Sequence, residues 1–213
     1  MVRILPSIAS ADQLAILEEM KRIEGTPYLH IDVEDGNFLP NITFGMKTVQ
    51  AIVKQNAFSY DVHLLCNEPM KYIEELKDDS IKEIAFHIES SMYPLQELNR
   101  IHKYGKKAGL AFNFKTPIQE AIPFLDAIDY IIIMTSEPDD EGNAFTSSIL
   151  DKIKEARRLL PSEISIWVDG GISEKELPKV VEAGADCVVM GRAVFKNENP
   201  KKAIKKYSGE VVC

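Results

Sequence analysis

A short run of five residues, Tyr130-Ile131-Ile132-Ile133-Met134, is apolar at every position, and an amphipathic stretch over residues 147–160 follows it. A run this short, with no polar alternation, is typical of a strand that is buried on both faces. Strands of that kind occur in parallel sheets whose two faces are covered by helices. The two stretches together therefore predict one strand–helix unit of a parallel α/β fold.

The same pairing of a short apolar run with a longer amphipathic stretch occurs eight times in the 213 residues. The predicted strands are 2–5, 28–33, 60–65, 83–88, 108–112, 130–134, 164–168 and 187–190, and the predicted helices are 14–23, 46–54, 70–76, 95–104, 118–125, 147–160, 174–183 and 200–207. Eight such units close into a (β/α)8 barrel, the TIM-barrel fold. No linker interrupts the pattern, so we expect a single α/β domain over residues 1–213. An open doubly wound sheet is the alternative, although eight pairs are many for it.

The charge balance excludes several kinds of partner. The chain has 25 Lys and Arg against 33 Asp and Glu, a formal net charge of −8, which argues against nucleic acid or an anionic membrane as its main partner. No apolar run approaches the roughly 20 residues that span a bilayer. The N-terminus carries no cleavage signal, and the three scattered cysteines, Cys66, Cys187 and Cys213, have no CxxC spacing. We therefore expect a cytoplasmic protein with reduced thiols.

Polar residues at the predicted strand ends are the candidates for chemistry, because active sites of such barrels lie at the carboxyl ends of the strands. His30 and Asp32 alternate along one strand and share a face. If that face points into the barrel, they could converge with His63 and Asp169, whereas His102 falls on a predicted helix and is expected at the surface. One strand histidine by itself is more often a core residue, but two imidazoles and two carboxylates together suit Zn²⁺, Mn²⁺, Fe²⁺ or Co²⁺.

A series of short motifs runs in order along nearly the whole chain. They are Leu5-Pro6-Ser7-Ile8, His30-Ile31-Asp32-Val33 with Asp35-Gly36 and Phe38-Leu39-Pro40-Asn41, Asp61-Val62-His63-Leu64, Phe86-His87-Ile88-Glu89, Asn113 with Thr116-Pro117, Val168-Asp169-Gly170-Gly171-Ile172, Gly184-Ala185-Asp186, and Gly191 with Ala193-Val194-Phe195. In these motifs the chain resembles the ribulose-phosphate 3-epimerase family. The His-x-Asp-x-x-Asp-Gly segment is quite specific, whereas Gly-Ala-Asp occurs in many phosphate-binding barrels.

The resemblance implies a metal-dependent proton-transfer mechanism. In the family, the residues matching His30, Asp32, His63 and Asp169 hold one divalent metal ion. Asp32 and Asp169 would also act as the acid/base pair on opposite faces of C3 of a ketose phosphate, with an enediolate between them. The metal would stabilise the charge on the substrate's oxygens. Family members are commonly dimers or larger, so a homo-oligomer is expected.

The resemblance also implies residues that bind the substrate. Ser7 would hydrogen-bond the substrate or a metal-site carboxylate, and Met134 matches one of the methionines around the enediolate. Gly171 and Gly191 keep the N–H donors that follow strands 7 and 8, where barrels usually bind phosphate. Arg192 stands where the epimerases usually have a small residue, and Gly-Arg resembles the phosphate loop of related orotidine-monophosphate and hexulose-phosphate barrels. Its guanidinium could hold a phosphate with two hydrogen bonds, and the alternative is an exposed, paired surface cation.

The chain departs from the family after strand 6. The family has a Gly-Phe-Gly-Gly loop there that binds the substrate phosphate, whereas this chain reads Asp139-Asp140-Glu141-Gly142. A carboxylate placed beside a phosphate would be unfavourable by roughly 1 kcal/mol or more. Four alternatives stay open: the loop points away, the anion site has moved, the substrate carries no phosphate, or the loop is a solvated surface segment.

Three further substitutions lie near the expected site. Lys115 lies at the end of strand 5, at a position where family members usually have an uncharged residue. It is either a second phosphate-binding cation or a surface lysine. Glu34 stands where the family usually has methionine, and Leu65 replaces another methionine. Glu34 could bind metal, bind a sugar hydroxyl or pair with Lys115, and the sequence does not choose among these.

The leading hypothesis is a metal-dependent 3-epimerase of a ketose phosphate, with ribulose 5-phosphate and xylulose 5-phosphate as the family's substrate pair. An epimerase of allulose 6-phosphate or of an unphosphorylated ketose is a close alternative. An aldolase or decarboxylase of the hexulose-phosphate type would need Asp-x-Lys-x-x-Asp on strand 3, where this chain has Asp61-Val62-His63. A non-catalytic barrel that binds a sugar-like ligand is the remaining alternative.

Overall fold

Eight strands alternate with helices along the chain, and the computed structural model describes residues 2–137 and 145–209. The strands are β1 (Arg3–Pro6), β2 (Tyr28–Glu34), β3 (Ser59–Leu65), β4 (Ile81–His87), β5 (Lys107–Phe112), β6 (Tyr130–Met134), β7 (Ser165–Asp169) and β8 (Cys187–Met190). The α-helices are α1 (Ile16–Arg22), α2 (Met46–Val53), α3 (Met70–Ile73), α4 (Pro94–Lys103), α5 (Ile149–Leu159), α6 (Leu177–Ala183), α7 (Arg192–Phe195) and α8 (Pro200–Ser208). The eight strands predicted from the sequence are all present.

The strands form one parallel sheet in the order β1-β8-β7-β6-β5-β4-β3-β2. Its two edge strands, β1 and β2, meet through a single parallel bridge between Ser7 and His30, so the barrel is nearly closed. This arrangement confirms the predicted (β/α)8 barrel and excludes the open doubly wound sheet. None of the helices in the described ranges has the length and apolar character needed to cross a bilayer.

The helical prediction was wrong in one segment and too long in another. Residues 118–125 were expected to form an α-helix, but Ile118–Ala127 is a 3₁₀ helix that contains Pro123. Proline lacks the N–H that an α-helix needs and clashes with the preceding turn, so an α-helix is disfavoured there. The helix expected over 70–76 is a single turn, Met70–Ile73.

The register of β2 against β3 places three pairs of side chains in the barrel interior. His30 pairs with Asp61, Asp32 with His63, and Glu34 with Leu65. Because alternate residues of a strand share a face, the three pairs form successive layers along the barrel axis. The two paired strands thus carry the polar side chains of the interior toward its carboxyl end.

Two apolar clusters support these layers. One lies in the barrel interior, around the polar residues, and includes Trp167 stacked on Tyr130, with ring centroids 4.1 Å apart. The other lies between the outer face of the strands and the helices. The interior of the barrel is therefore a packed core, with the candidate site residues near the carboxyl end of the strands and the Arg3–Glu83 ion pair near the amino end.

Candidate active site

A cavity of about 520 Å³ opens at the carboxyl ends of the strands. Seven of the predicted metal-binding and substrate-binding residues line it: Ser7, Asp32, Met134, Asp169, Gly171, Gly191 and Arg192. His30 and His63 are completely buried, and each lies beside Asp32 and Asp169. The volume of this cavity lies within the range of pockets that hold small metabolites.

His30, Asp32, His63 and Asp169 bring one donor atom each to a common point. The His30 Nε2 atom lies 3.0 Å from Asp32 Oδ1 and 3.7 Å from Asp169 Oδ2. The His63 Nδ1 atom lies 3.5 Å from Asp32 Oδ1 and 3.2 Å from Asp169 Oδ2. Ligands at about 2.1 Å from one ion are separated by about 3 to 3.5 Å in tetrahedral or octahedral geometry. The four donors therefore fit one divalent ion.

His30 is held in position by a carboxylate on the neighbouring strand. Its Nδ1 atom hydrogen-bonds Asp61 Oδ1, which leaves Nε2 facing Asp32 and Asp169. Burial lowers the pKa of His30, but the charges of Asp61 and Asp32 outweigh it and raise this pKa well above the usual value. Burial raises the pKa of Asp32, yet the neighbouring His30 and His63 bring it well below its usual range. Imidazole with a carboxylate behind it is a common arrangement for metal-binding histidines.

His63 is held by a chain of two further residues, His87 and Glu89. The His63 Nε2 and His87 Nε2 atoms are 3.0 Å apart, and His87 Nδ1 lies 3.2 Å from Glu89 Oε2. Burial lowers the pKa of His87 to about 4, so this imidazole is neutral. Burial raises the pKa of Glu89, but hydrogen bonds from His87 and Thr116 outweigh it and lower this pKa to about 2.

The hydrogen-bonded series from Glu89 through His87 determines which ring nitrogen of His63 carries a proton. Glu89 can only accept, so His87 Nδ1 carries the proton and His87 Nε2 is the acceptor. His63 therefore donates from Nε2, and its Nδ1 would offer a lone pair to a bound ion. Burial lowers the pKa of His63, but the hydrogen bonds of Nδ1 with Asp169 and Asp32 outweigh it and raise this pKa. A lone pair at Nδ1 is what a metal ligand requires.

We expect His87→Leu to weaken Zn²⁺ binding by about 10- to 100-fold, because it removes the acceptor that orients His63. Competition with a chromophoric zinc chelator measures the affinity. His102→Leu is the matched control, because His102 lies on α4 at the surface and pairs with Asp129. Equal affinities of His87→Leu and the wild type would show that His63 needs no such support.

Two hydroxyls hold Asp32. The Ser7 hydroxyl donates to Asp32 Oδ2 at 2.5 Å, across the seam between β1 and β2. The Thr43 hydroxyl donates to the Asp32 backbone carbonyl at 2.6 Å. The other carboxylate oxygen, Oδ1, is thus left to face the two histidines.

Gly170 and Gly191 form one wall of the cavity, together with Arg192. Gly170 has a φ of +117°, and a Cβ there would lie 2.5 Å from the Ser136 hydroxyl oxygen. A Cβ at Gly191 would lie 2.1 Å from the Ser10 hydroxyl oxygen. Only glycine fits at either position, so two backbone segments approach closely beside the half-buried Arg192.

Of the two alternatives for Lys115, the structure supports the surface lysine. This lysine is exposed and lines a separate cavity beside the 3₁₀ helix and α5, so it does not add a second cation to the site. The acidic segment Asp139-Asp140-Glu141-Gly142 lies outside the described residues, and so does Cys213.

Glu34 lines the cavity one layer above Asp32. Its Oε2 atom is buried and has no hydrogen-bond partner among the residues described. Burial, with the nearby charge of Asp32, raises the pKa of Glu34 to about 7. Glu34 does not belong to the four-residue group that could hold a metal, and within 2–137 and 145–209 it forms no ion pair with Lys115.

The supporting residues Asp61, His87 and Glu89 were not assigned a role from the sequence. A signal for Asp61 was available, because Asp61-x-His63 repeats the alternation of His30-x-Asp32 on a strand expected to be adjacent. His87-x-Glu89 has the same alternation at the end of the next predicted strand. Glu89 follows β4, and only the positions of the side chains show that it reaches back to His87.

A (β/α)8 barrel with two histidines and two aspartates gathered at the carboxyl ends of its strands defines a class of barrel enzymes with a site for a divalent ion. The family model described as "Ribulose-phosphate 3 epimerase family" matches residues 3–195. The chain belongs to the ribulose-phosphate 3-epimerase family, which confirms the resemblance, and is therefore a carbohydrate epimerase, an isomerase. The family is in general dependent on a divalent metal.

Individual relatives cover almost the whole chain. The ribulose-phosphate 3-epimerase of Bacillus subtilis (strain 168) is 37% identical over 215 aligned residues, with 98% of this chain and 99% of that protein covered. The "ribulose-phosphate 3-epimerase, cytoplasmic isoform" of Oryza sativa subsp. japonica is 32% identical, with 95% of this chain and 91% of that protein covered. The solved structure of KGPDC from Streptococcus mutans has a TM-score of 0.74 at 13% identity, covering 99% of this chain and 97% of that one. That last likeness supports the barrel fold alone.

Proposed function

We propose that this protein interconverts ribulose 5-phosphate and xylulose 5-phosphate by moving the proton at C3. Asp32 and Asp169 are the acid/base pair, and one divalent ion (Zn²⁺, Mn²⁺, Fe²⁺ or Co²⁺) is held by His30, Asp32, His63 and Asp169. One observation supports this most strongly. The two carboxylates come from β2 and β7, three strands apart around the barrel, and still lie within reach of the same two imidazole nitrogens.

The two aspartates have complementary tasks. Inversion at C3 needs a base that removes the proton from one face and an acid that returns a proton to the other. Asp32, oriented by the Ser7 hydroxyl, serves one face, and Asp169 serves the opposite face. When bound, a divalent ion would supply Lewis-acid stabilisation of the negative charge on the substrate's oxygens. Met134, Leu65 and Leu39 line the same cavity and limit hydration of the charged enediolate.

The phosphate is bound by residues that follow β7 and β8. Backbone N–H groups at Gly171 and Gly191 and the Arg192 guanidinium bind it, because glycines allow the backbone to approach an anion closely and a guanidinium pairs with two phosphate oxygens. These residues follow β7 and β8, the usual place for phosphate in barrels of this kind.

The protein is further proposed to act in the cytoplasm as a homo-oligomer, with residues 1–213 as one folding unit. The name of the rice relative supports the location. The association follows from the family, whose members are commonly dimers or larger.

Solvent-deuterium incorporation at C3, followed by NMR with metal-loaded protein, tests the proposal. Ribulose 5-phosphate, allulose 6-phosphate and the two unphosphorylated ketoses are compared, and chelator-treated protein is the control. We expect the fastest incorporation with ribulose 5-phosphate. Faster incorporation with allulose 6-phosphate or a free ketose would show that this compound, and not ribulose 5-phosphate, is the substrate. No incorporation with any of them, in protein shown to hold metal, would contradict the epimerase assignment.

A further inference from the structure

The Glu34 carboxylate is a polar group of the cavity that the proposed reaction does not use. Its Oε2 atom is shielded from water, yet no donor in the described part of the chain reaches it. A buried carboxylate oxygen without a donor costs free energy, so a rotation of the carboxylate that presents this oxygen to a donor of a ligand in the cavity would be favoured.

The position of Glu34 is fixed from its backbone. Its N–H donates to the Thr43 hydroxyl at 3.1 Å, and the same hydroxyl donates to the Asp32 carbonyl at 2.6 Å. The side chain therefore starts from a rigid point directly above the proposed metal ligand. Leu39, Pro40 and Leu65 line the same cavity, and none of their side chains offers a hydrogen-bond donor.

The metal cluster is not the partner of this carboxylate. The four converging donor atoms come from His30, Asp32, His63 and Asp169, and Glu34 is not among them. Glu34 lies two residues beyond Asp32 on β2, which is about 6.6 Å further toward the mouth of the barrel. A ligand whose reacting carbons lie at the cluster would thus present a more distant part of its chain to Glu34.

We propose that Glu34 accepts a hydrogen bond from a hydroxyl of the ketose phosphate outside its C2–C3 unit, and so selects substrates that carry this hydroxyl. This inference rests on the proposed function. A site with a buried acceptor rejects analogues that lack the matching hydroxyl, because the acceptor then stays unpaired. The residue is thus a specificity determinant, and its removal affects substrate binding more than proton transfer.

Calorimetric titration with xylitol 5-phosphate, which cannot enolise, measures this binding in metal-loaded protein without turnover. Glu34→Met should weaken binding by about 10- to 100-fold, the value of a hydrogen bond to a charged group. Glu34→Gln keeps an acceptor oxygen and should recover part of the loss. Glu120→Met is the matched control, because Glu120 is exposed on the 3₁₀ helix. In turnover assays with ribulose 5-phosphate, Glu34→Met should raise KM more than it lowers kcat.

Deoxy analogues at C1 and C4 identify the hydroxyl. The analogue that lacks the contacted hydroxyl should bind wild type and Glu34→Met equally, whereas the other should keep the difference. The inference would be overturned if Glu34→Met bound the polyol phosphate with wild-type affinity, or if the substitution weakened the binding of every analogue equally. The epimerase assignment would then still depend on the deuterium experiment. Failure of the wild type to bind the polyol phosphate would overturn the inference as well, and ribulose 5-phosphate exchange would then show whether the epimerase assignment survives.

Discussion

Asp169→Asn is expected to lower the rate of epimerisation by about 10³-fold at saturating metal, within the 10²- to 10⁴-fold range that a positioned acid/base group contributes. Asparagine keeps the shape of the side chain and one oxygen donor, but it cannot accept the C3 proton. The loss should therefore appear in kcat when the metal concentration compensates for a weakened site. Interconversion of ribulose 5-phosphate and xylulose 5-phosphate in a coupled assay measures it.

Deuterium exchange without epimerisation distinguishes a lost base from a damaged site. If each aspartate serves one face of C3, Asp169→Asn should still exchange the C3 proton of one epimer, through Asp32, and fail with the other. Asp32→Asn should show the reverse preference. Asp151→Asn is the matched control, since this carboxylate is exposed on α5. Equal loss of exchange with both epimers in both variants would contradict the two-base mechanism.

The barrel could be predicted because its strands have a strong local signal. Runs such as Tyr130–Met134 are buried on both faces and carry no polar alternation, so the pattern survives without tertiary information. Helical segments are less certain, since amphipathic spacing does not reveal a proline's effect. Pro123 leaves Ile118–Ala127 in a 3₁₀ helix although its apolar residues recur at helical spacing.

The four proposed metal ligands could be predicted for a related reason. His30 and Asp32 share a face by strand alternation, and the barrel brings the ends of distant strands together. The supporting residues depend on finer geometry. Asp61 contacts His30 only through the register of β2 against β3, and His87 meets His63 only because both rings point inward and stack, with centroids 5.0 Å apart.

The residues that differ from the family also have roles that depend on contacts between strands, which the sequence does not show. The sequence left three roles open for Lys115, namely a cation for the substrate, a partner for Glu34 or a surface lysine, because Lys115 and Glu34 both follow predicted strands. In the barrel, β2 and β5 are separated by two strands, and the two side chains line different cavities. What a carboxylate such as Glu34 does depends on which donors reach it, which is a property of the packed structure.

His63→Ala is expected to weaken Zn²⁺ binding by at least about 100-fold. Four-ligand zinc sites contribute about 10 to 16 kcal/mol, so one ligand of four accounts for about 3 to 4 kcal/mol. The variant also leaves His87 Nε2 without the donor that it faces in the wild type. Competition with a chromophoric chelator measures the change, and His102→Ala, at the surface of α4, is the matched control.

Thermal unfolding gives an independent measure of the same loss. A ligand at 100 times its Kd stabilises the native state by about 2.7 kcal/mol, and a 100-fold weaker site reduces this to about 0.4 kcal/mol. Zinc should therefore raise the Tm of the wild type and of His102→Ala by several degrees, and that of His63→Ala by much less. An equal zinc-induced shift in all three proteins would mean that the ion is bound without His63. The four-residue cluster would then have to be replaced by a different set of ligands.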